Sequence, residues 1–205
     1  MKIHMIYLAA GNSCRFGSNK LLYKFHGQPL FQYGLQQLLE LLSTHDQYTL
    51  DIVTQYDDIM MYIESLVPDY THLHCHYSSQ SYLGISYSIQ TGIKQYIKED
   101  NAYFLFLVAD QPYITSTTIQ NMIEQVIKQK PLVASLCYDQ QMGNPTMFHT
   151  SLSDQLMALQ ADEGGRQIIC QYQNQCLYVS AKTKQELFDF DTLQDMEKND
   201  IEHFV

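Results

Sequence analysis

Ile3-His-Met-Ile-Tyr-Leu-Ala-Ala-Gly11-Asn-Ser-Cys-Arg-Phe-Gly-Ser-Asn-Lys20 is the stretch on which the fold reading turns. Residues 3–9 form a continuous apolar run closed by a glycine, the pattern of a strand buried on both faces. A polar loop follows, punctuated by Gly11 and Gly17 and carrying Ser13, Arg15 and Lys20. Glycines let backbone N–H groups approach anionic oxygens, and Arg and Lys neutralise their charge. The loop therefore reads as a phosphate-binding turn, against the plainer reading of a solvated loop. It lacks the Gly-x4-Gly-Lys-Ser/Thr of a P-loop and the Gly-x-Gly-x-x-Gly of a dinucleotide turn. The chain has only two arginines, Arg15 and Arg166, and both lie in glycine-containing loops.

Outward from this strand and turn, strand-like and helix-like segments alternate. Residues 29–42, 57–67, 84–98 and 115–130 have helical spacing of apolar positions. Thr115 or Ser116 can cap the last of these, and Lys128 and Lys130 suit its negative end. Residues 49–54, 71–77, 103–109, 132–138 and 176–180 read as strands. The run 103–109 is the most apolar and is expected at the centre of the sheet. Short helices are expected at 151–159 and 165–173, and a last one at 192–198. This order predicts an α/β fold with three αβα layers and a mostly parallel central sheet, in a single domain spanning 1–205. In such sheets the ligand lies at the carboxyl ends of the strands. That selects the segments 11–20, 78–88, 110–112 and 142–148, all rich in Gly, Pro, Ser, Asn and Asp.

Twelve Lys and Arg against 22 Asp and Glu give a net charge of −10. That balance argues against a nucleic acid or an anionic membrane as partner, because both need a basic face. No apolar run is long enough to span a bilayer. The opening residues resemble the start of a signal peptide, but the motif-like loop after them favours a first buried strand. Five cysteines without a Cys-x-x-Cys fit free thiols in a reducing cytoplasm. Cys14 lies within the glycine loop, where nothing calls for a nucleophile. His72, His74 and His76 alternate, which places them on one face of a strand. We read that face as solvated or packed rather than metal-binding.

Five stretches in order carry a family resemblance. Leu8-Ala-Ala-Gly-Asn-Ser-Cys-Arg-Phe-Gly-Ser-Asn-Lys20-Leu-Leu, Gly84-Ile-Ser-Tyr-Ser-Ile, Ala109-Asp-Gln-Pro112, Gly143-Asn-Pro-Thr-Met-Phe148 and Asp189-Phe-Asp-Thr-Leu-Gln-Asp195 resemble the nucleotidyltransferases related to molybdenum cofactor cytidylyltransferase. The likeness runs from about residue 3 to 196. Ala161-Asp-Glu-Gly-Gly-Arg166 also resembles the family's Gly-Asp-x-Gly-x-Arg, and the likeness departs at Ile85, Tyr87 and Ala161, where that pattern has Leu or Met, Ser, and Gly.

The resemblance implies a Rossmann-like, nucleotide-diphospho-sugar transferase (GT-A-like) fold. It also implies Mg²⁺-dependent transfer of CMP from CTP to the phosphate of molybdopterin-type cofactor, with a molybdenum hydroxylase as eventual recipient. Arg15, Lys20 and Asp110 become the catalytic candidates. Leu8, Ala9, Ala10, Gly11, Ser13, Gly84, Ser86 and Ser88 join them around the nucleotide. Asp110 and Asp191 are the metal candidates, and Gln111, Pro112, Gly143, Asn144, Pro145 and Arg166 the acceptor candidates. Plainer uses stay open: a turn or cap for Asp110, capping for Ser86, Ser88 and Asp191, a structural turn at Gly143-Asn-Pro, a surface Arg166. The choice of CTP rests on Ala9-Ala10-Gly11 and Gly84-Ile-Ser-Tyr-Ser, which resemble the cytidylyl branch, whereas the guanylyl branch more usually has Leu-Ala-Gly-Gly in the first motif. Other readings are a guanylyltransferase, transfer to a different phosphorylated acceptor, and a cofactor-carrying maturation chaperone with little turnover.

Overall fold

The computed structural model describes residues 1–13, 16, 19–192, 194 and 195. In chain order the strands are β1 (Lys2–Ala9), β2 (Lys24–Phe25), β3 (Gln28–Pro29), β4 (Tyr48–Thr54), β5 (Leu73–Tyr77), β6 (Ala102–Val108), β7 (Val133–Tyr138), β8 (Gln141–His149) and β9 (Cys176–Ser180). The helices are α1 (Phe31–Thr44), α2 (Asp57–Leu66), α3 (Ile85–Ile93), α4 (Ser116–Gln129), α5 (Ser153–Met157) and α6 (Arg166–Gln171).

Seven strands form one sheet in the order β5-β4-β1-β6-β8-β7-β9. All run parallel except β8, which pairs antiparallel with both β6 and β7. The apolar strand β6 is central, as expected. Period-two alternation divides the side chains between two faces. Ile3, Met5, Tyr7, Tyr103, Leu105 and Leu107 pack against α1, α2 and α4. Ile6, Leu8, Phe104 and Phe106 pack against α3, α5 and α6. The result is the predicted three-layer αβα arrangement. Thr115 caps α4 by accepting from the Thr118 N–H, and Lys130 closes it in the left-handed conformation at φ 52°.

Three local features differ from the sequence reading. Residues 141–149 form strand β8 rather than a loop, because the two-residue turn after β7 sends the chain straight back along it. The Gly143-Asn-Pro segment is a bulge and not a turn. Ser135 pairs with Thr146 and Leu136 with Gly143, so Asn144 and Pro145 are surplus to the ladder. A proline has no N–H to donate there. The helix expected over 84–98 is α-helical only to Ile93 and continues as a 3-10 turn over Lys94–Tyr96. The sequence reading also missed the β2–β3 hairpin, whose His26-Gly27 turn has φ values of 46° and 82°. The helix expected at 192–198 lies largely outside the described residues.

Of the three alternating histidines only His76 meets a buried carboxylate, whereas His72 precedes β5 and His74 is exposed. Asp51 is fully buried and accepts from His76 Nε2 at 2.7 Å, Gln95 Nε2 at 2.7 Å and the Tyr96 hydroxyl at 2.7 Å. A carboxylate only accepts, so His76 Nε2 carries the proton. Among the described residues no group of three or more His, Cys, Asp or Glu is arranged to hold a metal. Asp51→Ala removes the acceptor for His76, Gln95 and Tyr96 and for the Thr49 hydroxyl at 3.3 Å, and is expected to cost about 2–3 kcal/mol, read as a lowered urea midpoint with unchanged slope.

Candidate active site

Strands β1 and β6 end side by side, and a cavity of about 390 Å³ opens over their carboxyl ends. Leu8 at the end of β1 and Ala10, Gly11 and Ser13 of the loop after it line it, with Lys20, Ser81, Gly84, Ser88, Asp110, Asp162 and Asp191. Of the nucleotide candidates, Ala9 is fully buried and packs into the core below. Arg15 lies outside the described residues.

Lys20 is the hub of this cavity. Only 8% of it is exposed, and its ammonium donates to Asp110 Oδ2 at 2.6 Å and to the Phe190 carbonyl at 3.0 Å. Asp191 Oδ1 stands 3.5 Å away. Burial lowers the Lys20 pKa, but the charges of Asp110 and Asp191 outweigh it and hold the ammonium above its ordinary value. Asp110 Oδ1 is buried and has no hydrogen-bond partner. An orphaned carboxylate oxygen beside a phosphate-type loop is what a small, hard cation would complete.

The tail that carries Asp189 and Asp191 is pinned at Phe190. Its ring is fully buried among Phe16, Phe25 and Leu30, and its N–H donates to the Asp110 carbonyl at 3.1 Å. Reduced hydration and the charge of Asp110 push the Asp189 carboxyl up to about 6.

On the far wall, Gly84 has φ 144° and opens α3. A Cβ there would meet the Ala161 carbonyl carbon and oxygen at 2.1 Å. The same carbonyl accepts the Ser86 N–H at 3.1 Å, so that donor is spent within the protein. Ser86 itself is fully buried and does not line the cavity. Ser88 does, with its hydroxyl paired to Ser81 at 2.7 Å.

A second cavity of about 300 Å³ adjoins the first. Gln111, Gly143, Asn144 and Arg166 line it, with Ser135, Thr146 and Asp189. Pro112 and Pro145 are buried and do not line it. Gln111 is 2% exposed, and its Oε1 has no hydrogen-bond partner. Three segments serve both cavities: Asp110 and Gln111, Asp162 and Arg166, and Asp191 and Asp189 each divide between the first and the second. Sequence reasoning placed Asn12 and Ser81 within the selected segments without naming them individually, and left Asp162 outside those segments. Asp162 carried a usable signal, since it lies in the Asp-Glu-Gly-Gly-Arg166 segment already noted for its arginine.

A family model for the MobA-like NTP transferase domain matches residues 5–176, and the chain belongs to that family. No curated protein matches it in sequence. Solved structures share its fold at low identity. Rv0371c from Mycobacterium tuberculosis H37Rv superposes with a TM-score of 0.74 at 17% identity, over 98% of each chain. A manganese complex of that protein also superposes, with a TM-score of 0.69 at 15% identity over 98% of this chain and 99% of that one. Molybdopterin-guanine dinucleotide biosynthesis protein A from Archaeoglobus fulgidus gives 0.68 at 14% identity, over 98% of each chain. The 4-diphosphocytidyl-2C-methyl-D-erythritol synthase from Anaerococcus prevotii gives 0.73 at 13% identity, over 100% of this chain and 96% of that one. Among the described residues, no helix is long and apolar enough to cross a membrane.

Proposed function

We propose that this enzyme transfers CMP from CTP to the phosphate of a molybdopterin-type acceptor and releases pyrophosphate, with Mg²⁺ as cofactor. The observation that carries the reading is that Asp110, which holds Lys20, lines the glycine-loop cleft while its chain neighbour Gln111 lines the second polar cleft. Such an adjacency suits in-line transfer between two bound phosphates. An acceptor phosphate oxygen attacks the α-phosphorus, the bond from that phosphorus to the bridging oxygen breaks, and pyrophosphate leaves with the electron pair.

In this reading the backbone of residues 10–13 lies along the triphosphate, and Arg15 and Lys20 offset its charge. Asp110, through its unpartnered Oδ1, and Asp191 would hold Mg²⁺, which neutralises the phosphate oxygens when bound. The manganese complex of the Mycobacterium protein supports a divalent metal in this fold. Gln111, Asn144 and Arg166 face the acceptor, with Arg166 toward its phosphate. Ala10, which lines the first cavity, sets how closely a base approaches the backbone and supports CTP over GTP.

The test is pyrophosphate release from molybdenum cofactor with CTP, GTP or ATP offered singly. Release with CTP alone is expected, abolished by EDTA and restored by excess Mg²⁺. Release with GTP instead would overturn the base assignment. A folded protein that binds CTP yet releases nothing would point to a different acceptor or to a carrier.

A further inference from the structure

We propose that Gln55 and Tyr56, which follow β4 and do not line the first cavity, are positioning residues that set the nucleotide loop. The inference rests on the nucleotide reading of that cavity.

Gln55 Nε2 donates to the Ala10 carbonyl at 2.6 Å and to Asn12 Oδ1 at 3.0 Å. The Tyr56 hydroxyl donates to the Gly11 carbonyl at 2.6 Å. Asn12 Nδ2 then donates to the Tyr82 carbonyl at 2.7 Å, which ties the loop to the opposite wall beside Ser81 and Gly84.

The polarity of this chain is forced. A backbone carbonyl only accepts, so Gln55 must turn its NH₂ toward Ala10. Its second N–H then requires the oxygen of Asn12, which leaves the Asn12 NH₂ for the Tyr82 carbonyl. Two successive loop carbonyls are thereby drawn away toward β4. A carbonyl dipole facing a triphosphate would repel it, whereas an N–H attracts it. Gln55 and Tyr56 thus fix the carbonyl orientation on which anion binding depends, and the Asn12–Tyr82 bond fixes the distance between the walls.

The experiment measures CTP affinity by calorimetry with Mg²⁺ for the wild type, Gln55→Met, Gln55→Glu and Tyr56→Phe. Gln55→Met keeps the shape without the donors, and Gln55→Glu replaces donors with acceptors. Weakening by about tenfold is expected for each Gln55 variant and about fivefold for Tyr56→Phe, with melting temperatures held near the wild type. In the pyrophosphate assay, KM for CTP rises while kcat and the acceptor KM hold. Wild-type affinity in Gln55→Met and Tyr56→Phe would overturn the proposal, as would an acceptor KM that rises in step with that for CTP. If the Gln55 variants do not fold, Tyr56→Phe alone decides. A wild type that binds no triphosphate would remove the nucleotide reading itself, a failure distinct from equal binding by the variants.

Discussion

Asp110→Ala is expected to lower pyrophosphate release by at least about a thousandfold while the protein remains folded. Asp110 follows the central strand, accepts from Lys20 through Oδ2 and leaves Oδ1 buried without a partner. Substitution removes two things together: the oxygen available to a cation, and the anchor that aims the Lys20 ammonium. Lys20 keeps its bond to the Phe190 carbonyl and its proximity to Asp191, so the site loses alignment rather than collapsing. Asp110→Asn separates the two losses. The amide retains an oxygen for Lys20 but is a poor ligand for a hard cation. Its activity should fall almost as far as that of alanine and recover partially at high Mg²⁺ or Mn²⁺. Single-turnover rates at saturating nucleotide are the measurement. A loss of only a few-fold in both variants would exclude Asp110 from the chemistry.

The second large effect is structural. Gly84→Ala is expected to destabilise the protein by about 4 kcal/mol, read from urea unfolding, and to abolish CTP binding. Two costs add. The φ of 144° with ψ of 166° lies in a region that L-residues essentially do not adopt. The new Cβ would also sit 2.1 Å from the Ala161 carbonyl, a backbone group that cannot rotate aside. The carbonyl would have to retreat and release the Ser86 N–H that it accepts. The wall that carries Ser81, Gly84, Ser88 and Asp162 would move with it. An alanine variant with wild-type stability would show that this junction is looser than its contact distance implies.

Much of this architecture was legible from the chain because its signals are local. The apolar runs that became β1 and β6, the glycine turn after β1 and the Thr115 cap each announce themselves within a few residues. Strand β8 does not. Its Gly143-Asn-Pro start has the composition of a turn, and only pairing with β6 and β7 makes it extended. Ser86 reads as a capping residue, yet its side chain is fully buried and its N–H donates to a carbonyl 75 positions away, at Ala161. The same holds for the brace from Gln55 and Tyr56, whose partners lie 45 positions earlier in the chain. Contacts of that kind are set by the stacking of layers, and no short window of sequence contains them. Asp189 and Asp191 were visible as acidic residues, but their division between two cavities depends on the burial of Phe190 between them.

The reversed direction of β8 has a consequence for how this architecture diversifies. Because it runs against its neighbours, its first residues, rather than its last, stand at the edge where the cavities open. The second cavity takes part of its wall from residues 141–146, none of which lines the first. Selection can therefore rewrite the 141–146 wall of one chamber without touching a residue that lines the other. Exchanging the 139–146 segment between enzymes of this architecture should retarget the recipient molecule and leave the donor untouched.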